Sequence, residues 1–195
     1  MSHVETGGIF VRANTKELFS VPNFLSTVRL ILIPFFIYEY VTADRAEDYY
    51  FAAIIVVLSG LTDLLDGFIA RNFNQTTDLG KVLDPIADKL TQAAIAACLL
   101  LRYKYMWVLF ILFAVKELFM GINSLILLKR GKKLNGAMWF GKLSTAVFYV
   151  AMFFLVAFPG IDPVLAGGLM IITGIFLSLS FFMYIPVFMK MYHNA

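Results

Sequence analysis

Four aspartates lie within long apolar segments of this chain, and they occur as two closely spaced pairs. The first pair is Asp63 and Asp66, and the second pair is Asp84 and Asp88. Carboxylates are costly at membrane depth and are kept there mainly where they serve a function. Four carboxylates brought together would repel one another, and divalent cations would relieve that repulsion. The residues therefore predict a site for a pair of hard metal ions.

The ligands of such a site are all carboxylate oxygens, which restricts both the metal and the reaction. Oxygen ligands favour Mg²⁺, Mn²⁺ or Ca²⁺ over zinc. Two ions bridged by shared carboxylates can bind diphosphate oxygens, stabilise a leaving group and offset charge in the transition state. We therefore expect phosphoryl chemistry on a substrate that contains a diphosphate.

Small residues and one arginine accompany the aspartates at helical spacing. Gly67 and Ala70 follow the first pair, and Gly80 precedes the second pair on the same helical face. Small residues in membrane helices either allow close helix packing or leave clearance for a ligand, and the neighbouring acids favour clearance. Arg71 either anchors the helix end at the membrane surface or binds phosphate oxygens, and we favour phosphate.

The elements that must position these residues are membrane-spanning helices. Of the 195 residues, 61% are hydrophobic and only 15% are charged, and a soluble domain of this size could not bury so much apolar surface. A spanning helix needs about 20 mostly apolar residues. Six segments qualify, namely 22–42, 50–71, 80–101, 106–128, 139–158 and 161–189. We therefore predict an all-α integral membrane protein with six transmembrane helices in one domain, residues 21–195.

Charge outside the spans indicates the topology. Residues 1–20 are polar and mixed in charge, so we expect no cleaved signal there. We predict either a short juxtamembrane amphipathic helix or a partly disordered tail. Lysine and arginine concentrate on one set of loops, which places both termini and the aspartates on the cytoplasmic side of the cell membrane. The net charge of +3 is too small to indicate nucleic-acid binding.

The charged and small residues together resemble the signature of the CDP-alcohol phosphotransferase family. The pattern is D-x2-D-G-x2-A-R-x8-G-x3-D-x3-D, and all eight fixed positions are present between Asp63 and Asp88. The six-helix hydropathy of the chain is also similar to that of the family. Members transfer a substituted phosphate from a CDP-linked donor to an alcohol and release CMP, which is the activity that the resemblance implies.

The resemblance also implies roles for individual residues. It implies a site for two Mg²⁺ or Mn²⁺ ions formed by the four aspartates, with Asp88 also accepting the proton of the acceptor hydroxyl. Because a metal-bound carboxylate is a poor base, this second role requires loose coordination or late proton transfer. The resemblance also places four residues around the CDP moiety, namely Gly67, Ala70, Arg71 and Gly80. It further implies a homodimer whose cavity is accessible to membrane lipids and open to the cytoplasm.

Three further segments are similar to the branch of the family that makes phosphatidylglycerophosphate. They are residues 21–29 (VPNFLSTVR), residues 80–89 (GKVLDPIADK) and residues 141–145 (GKLST). This similarity implies CDP-diacylglycerol as the donor and glycerol 3-phosphate as the acceptor. It leaves open whether Arg29 pairs with an acid or binds phosphate.

Three lysines are candidates for binding the acceptor phosphate, namely Lys81, Lys116 and Lys142. The same branch usually has Arg-Glu where this chain has Lys116-Glu117. Lysine keeps the charge of arginine but lacks the fork that binds two phosphate oxygens at once. The alternative is that Lys116 and Glu117 neutralise each other inside the helix bundle.

Other functions remain as alternatives. Cardiolipin synthases share several of these features, which would make phosphatidylglycerol the acceptor, and other members use serine or inositol phosphate. A cation transporter should place polar groups across the full membrane depth, whereas the outer halves of the same helices are apolar. A structural or assembly protein leaves the eight-position match unexplained. The sequence therefore favours an enzyme.

Overall fold

The computed structural model describes residues 20–72, 77, 80–131 and 138–193, without the side chains of residues 67, 70–72 and 81. Six helices form this part of the chain. They are α1 Val21–Thr42, α2 Asp48–Asn72, α3 Gly80–Leu99, α4 Met106–Lys129, α5 Trp139–Ala157 and α6 Pro163–His193. The predicted all-α class is confirmed, and the predicted segments match the six helices to within four residues at every end. The predicted juxtamembrane helix falls outside the described residues, apart from position 20.

Most of the described helices are suited to a membrane. Five of them are long and apolar enough to cross it, and α2 qualifies over Asp48–Asp66. The remaining helix, α3, has the 20 residues that a span requires, but its acidic residues and Lys89 lower its hydropathy. Large apolar side chains cover outward surfaces, as at Leu64, which is 69% exposed, and Leu118, which is 64% exposed. These are the features of a multi-pass membrane protein.

The first helix brings the two aspartate-bearing helices together. α1 packs along both α2 and α3, whereas α2 and α3 make only slight contact with each other. The short loop between α2 and α3 predicts that these two helices pack directly against each other in antiparallel fashion. In the structure they are held together mainly through α1, which the sequence does not indicate. Asn23, Ser26 and Arg29 are buried on one face of α1 and recur every three residues. This polar face of α1 meets the aspartates.

The main apolar core lies beyond the aspartates along the helices. All six helices contribute to it, with Phe36, Ile95 and Met152 among its buried members. Its many alanines allow the helices to approach closely, as is common in membrane proteins. A smaller cluster around Leu127 and Phe140 holds the ends of α4, α5 and α6 that are nearest the aspartates.

The start of α5, which carries Lys142, is fixed by a tyrosine of α6. Tyr184 is fully buried, and its hydroxyl oxygen accepts a hydrogen bond from the backbone N–H of Met138 at 3.2 Å. A Cβ atom at Gly141 would overlap that hydroxyl, so the close packing depends on glycine. Gly141 of the GKLST segment therefore has a packing role of its own.

Candidate active site

Arg29 of α1 lies among the aspartates and binds two of them. Its side chain is fully buried. One terminal nitrogen of its guanidinium lies 2.8 Å from Asp63 Oδ1, and the other binds Asp66 Oδ2. Asp66 is only 3% exposed, and a carboxylate so deeply buried needs a counter-ion. Of the two roles that the sequence left open for Arg29, the structure therefore shows the ion pair with acids.

Ser26, one turn before Arg29, connects the first aspartate pair to the second. Its hydroxyl donates a hydrogen bond to Asp84 Oδ1 and lies 3.4 Å from Asp66 Oδ2. The same hydroxyl is 3.1 Å from the carbonyl oxygen of Pro22. Because this one hydroxyl group reaches the carboxylates of Asp66 and Asp84, it fixes the distance between α2 and α3 where these two aspartates lie.

Asp88 is held by three side chains. Gln92 Nε2 donates a hydrogen bond to Asp88 Oδ1 at 2.6 Å, and the Tyr149 hydroxyl donates to the same oxygen at 3.3 Å. Lys89 Nζ lies 3.0 Å from Asp88 Oδ2. Gln92 is one helical turn beyond Asp88, whereas Tyr149 comes from α5. The carboxylate is thus oriented by two helices.

The four aspartates also act on one another. Asp88 is near enough to Asp63, and Asp84 to Asp66, for the carboxylates to repel each other. Among the described residues, no three acidic, imidazole or thiol side chains lie close enough to enclose a metal ion as they stand. Because Arg29 binds one oxygen of each member of the first pair, an ion bound there either shares those oxygens with Arg29 or uses the other oxygen of each carboxylate.

The charge of this cluster fits divalent cations. Four carboxylates carry four negative charges, and the positive side chains that contact them in the described structure are Arg29 and Lys89. Among the side chains that the structure describes, two of the four negative charges are then left without a counter-ion. Unbalanced charge in apolar surroundings is costly, and a divalent ion would balance it through the oxygen ligands that hard cations prefer. The donor set and its charge are therefore suited to such ions.

A chain of charged side chains continues from Asp88 to α4, where it ends at the buried Lys116. Lys89 Nζ lies 3.4 Å from Glu117 Oε1, and Lys116 Nζ lies 2.8 Å from the same oxygen. Lys116 is 3% exposed. The neutralising pair that the sequence offered as an alternative for Lys116 is present, and phosphate binding by this lysine stays a prediction. Lys142 is exposed near the start of α5, and the side chain of Lys81 is outside the described structure.

Gly80, a predicted CDP contact, is buried where α3 begins. Its backbone N–H donates to Thr77 Oγ1 at 2.9 Å, and the Thr77 hydroxyl donates to Asn23 Oδ1 at 3.0 Å. A Cβ atom on Gly80 would lie 2.5 Å from Asn23 Oδ1 and 2.9 Å from Thr77 Oγ1. The other three predicted CDP contacts belong to the last turns of α2, and their side chains lie outside the described structure. They are Gly67, Ala70 and Arg71.

The variant Gly80→Ala tests this close approach. We expect the added methyl group to displace Asn23 and to lower the free energy of unfolding by about 1–3 kcal/mol, as overpacking does. Denaturant unfolding in detergent, followed by circular dichroism, measures the change. Gly121→Ala is the matched control, because nothing lies within 4 Å of its Cβ position and alanine favours a helix by about 0.5–1 kcal/mol. Equal stability of the two variants would contradict the crowding at Gly80.

Four residues that contact the aspartates were not predicted as site residues from the sequence. Gln92 had a usable signal, because it lies four positions after Asp88 on the same helix. Lys89 directly follows Asp88, and helical spacing does not predict contact between adjacent residues. Ser26 had a weaker signal, since it precedes Arg29 by one turn within the VPNFLSTVR segment. Tyr149 had none, because it lies in an apolar helix far along the chain. Only the packing of α5 brings it to Asp88.

Comparison with known proteins identifies the class to which this fold and site belong. Residues 19–189 match the family model described as CDP-alcohol phosphatidyltransferase. The chain therefore belongs to the CDP-alcohol phosphatidyltransferase family, whose members generally use divalent metal ions. The match includes all four aspartates and all six helices except the last residues of α6.

Bacterial relatives are identical to this chain at about a third of the aligned positions. The CDP-diacylglycerol–glycerol-3-phosphate 3-phosphatidyltransferase of Escherichia coli strain K12 is 33% identical over 153 residues, which cover 76% of this chain and 83% of the relative. The protein of the same name from Shigella flexneri serotype 5b is 33% identical over 147 residues, which cover 73% of this chain and 80% of the relative.

Proposed function

We propose that this protein transfers the phosphatidyl group of CDP-diacylglycerol to glycerol 3-phosphate, giving phosphatidylglycerophosphate and CMP in phospholipid biosynthesis. The observation that carries the proposal is the complete eight-position motif, three of whose four aspartates the fold gathers around Arg29 and Ser26. The choice of acceptor is supported by relatives that are named for this reaction. It is also supported by the segments at residues 21–29, 80–89 and 141–145.

The four aspartates are proposed to hold two ions, either Mg²⁺ or Mn²⁺. When bound, such ions bind diphosphate oxygens and offset the negative charge that develops on the leaving CMP. Arg29 orients Asp63 and Asp66, because its guanidinium contacts both carboxylates. Ser26 does the same for Asp84 through its hydrogen bond. The site is therefore arranged by protein groups before a substrate arrives.

Asp88 is proposed to accept the proton of the acceptor hydroxyl. The acceptor oxygen bonds to the phosphorus that carries diacylglycerol, the bond from that phosphorus to the bridging oxygen breaks, and CMP leaves. The hydroxyl proton passes to Asp88. Gln92, Tyr149 and Lys89 all direct N–H or O–H groups at this carboxylate. They also fix its direction, and a general base must be positioned before it can act.

The substrate-binding residues are proposals of the same kind. Gly67, Ala70, Arg71 and Gly80 are proposed to surround the CDP moiety. The lysines proposed for the acceptor phosphate are Lys81, Lys116 and Lys142. We also propose that the domain is residues 21–195, that it forms a homodimer within membrane lipids, and that its termini and active site face the cytoplasm. The concentration of lysine and arginine on one set of loops supports this orientation.

The proposed reaction is tested by CMP release from CDP-diacylglycerol with a panel of acceptors. The protein in detergent micelles receives Mg²⁺ or Mn²⁺ and, in separate assays, glycerol 3-phosphate, phosphatidylglycerol, serine or inositol phosphate. We expect kcat/KM for glycerol 3-phosphate to exceed that for phosphatidylglycerol and for serine by at least about tenfold, since a site built for one polar group rejects molecules that lack it. Inositol phosphate, which has the phosphate on a bulkier molecule, is also expected to react more slowly. Faster reaction with phosphatidylglycerol would identify a cardiolipin synthase. Ion conductance without CMP release would indicate a transporter.

A further inference from the structure

Two lysine ammonium groups from different helices converge on a single carboxylate oxygen of Glu117. Lys116 Nζ of α4 lies 2.8 Å from Glu117 Oε1, and Lys89 Nζ of α3 lies 3.4 Å from it. The Lys116 side chain is 4% exposed, and the Glu117 side chain is 14% exposed. Two cations directed at one anionic oxygen form the arrangement that also binds a phosphate oxygen by charge-assisted hydrogen bonds.

Lys89 connects this oxygen to the proposed base. Its Nζ atom lies 3.0 Å from Asp88 Oδ2 and 3.4 Å from Glu117 Oε1, so the two oxygens are at most 6.4 Å apart. In extended glycerol 3-phosphate, the free terminal hydroxyl oxygen and the phosphorus are five bonds apart and are separated by roughly 6 Å, as ordinary covalent bond lengths give. A phosphate at the Glu117 position therefore allows the hydroxyl at the other end of the molecule to reach Asp88.

We propose that Glu117 is an internal anion that occupies the acceptor-phosphate position in the free enzyme. Lys89 and Lys116 bind the phosphate after it displaces the Glu117 carboxylate. The proposal rests on the proposed function and adds Lys89 to the acceptor site. Lys89 keeps its contact with Asp88 when Glu117 moves away, but an unpaired Lys116 ammonium group would be costly inside the protein. Glu117 removes that cost while no acceptor is bound. The acceptor then has to compete with Glu117 for both lysines.

The charge of this position selects among acceptors. A phosphate monoester carries about 1.5 to 2 negative charges near neutral pH, which two ammonium groups match. Phosphatidylglycerol carries one charge on a phosphodiester, and serine carries no phosphate. The Lys89–Lys116 pair therefore favours acceptors that end in a phosphate monoester.

Direct binding of glycerol 3-phosphate tests the internal anion. Equilibrium dialysis of the full chain in detergent, without CDP-diacylglycerol and without divalent ions, gives the dissociation constant separately from catalysis. We expect Glu117→Gln to bind glycerol 3-phosphate about tenfold more tightly, because the competing anion is gone, and Lys89→Gln to bind it about tenfold more weakly. In turnover assays, Glu117→Gln is expected to lower KM for glycerol 3-phosphate and to leave KM for CDP-diacylglycerol unchanged. A residue that only supports the fold would not tighten binding.

Two matched controls remove the same charges elsewhere. They are Glu39→Gln and Lys104→Gln. Glu39 lies near the C-terminal end of α1, and Lys104 lies in the turn between α3 and α4. Both are expected to bind glycerol 3-phosphate like the parent chain. Should Glu117→Gln fail to fold, Glu117→Asp replaces it, because the shorter carboxylate keeps the charge but loses reach. We expect this variant to bind about threefold more tightly than the parent chain.

The outcomes separate this inference from the proposed reaction. If a folded Glu117 variant binds glycerol 3-phosphate as the parent chain does, or more weakly, Glu117 is not an internal anion. If Lys89→Gln binds it as the parent chain does, Lys89 does not bind the acceptor phosphate. Neither result would contradict CMP release with glycerol 3-phosphate. Conversely, if the binding changes occur as expected but glycerol 3-phosphate yields no CMP, the reaction fails and the anion site remains.

Discussion

The variant Asp66→Asn is expected to lose metal-dependent CMP release while it keeps its helical fold. Asparagine has the shape of aspartate but removes both a proposed metal ligand and the charge that pairs with Arg29. The loss in kcat/KM should exceed the about 10–100-fold that is typical of residues that only support a metal ligand. The fold should persist because Arg29 still contacts Asp63 at 2.8 Å. CMP release over a series of Mg²⁺ or Mn²⁺ concentrations measures the effect.

Asp162→Asn is the matched control for Asp66→Asn. Asp162 lies before α6, where its Oδ1 atom accepts hydrogen bonds from the backbone N–H groups of Val164 and Leu165 at 2.8 and 3.2 Å. Asparagine keeps an oxygen for these bonds, so this variant should release CMP at the parent rate. Circular dichroism and size-exclusion chromatography verify that both variants fold. Full activity of Asp66→Asn would refute the assignment of this residue to the metal site.

The helices and the four aspartates could be predicted because each depends on local sequence. A membrane requires long apolar segments, so hydropathy alone located α1 to α6 to within four residues at each end. The aspartates lie within 26 residues on two such helices. Their spacing of three and four residues placed each pair on one helical face.

The contacts between helices could not be predicted, because they depend on packing between distant parts of the chain. The sequence allowed Arg29 either an acid or a phosphate as its partner, and only the position of α1 along α2 and α3 decides for the acids. The sequence also left open whether Lys116 pairs with Glu117 or binds phosphate. The contact between Lys89 and Glu117 depends on how α3 packs against α4. Tyr149 reaches Asp88 across 61 residues of sequence, with no local pattern to indicate it.

Arg29→Met is expected to be the most destabilising substitution at the site. Methionine fills much of the space of the arginine side chain but leaves Asp63 and Asp66 without their counter-ion. Removal of one partner from a buried ion pair costs about 3–5 kcal/mol, because the remaining charge is left uncompensated. Arg29 is fully buried, so water cannot replace it easily. Denaturant unfolding in detergent with a chelator present measures the loss of free energy.

The same variant should respond more strongly to metal than the parent chain does. Without Arg29, a divalent ion no longer shares the negative charge of Asp63 and Asp66 with a guanidinium, so it restores more of the lost stability through binding to the folded state. Arg102→Met is the control, since Arg102 lies 4.8 Å from the Tyr49 ring centroid in an exposed turn and should cost about 0.5–1 kcal/mol. If Mg²⁺ raises the stability of Arg29→Met and of the parent chain equally, then Arg29 and the metal ions do not act on the same carboxylates.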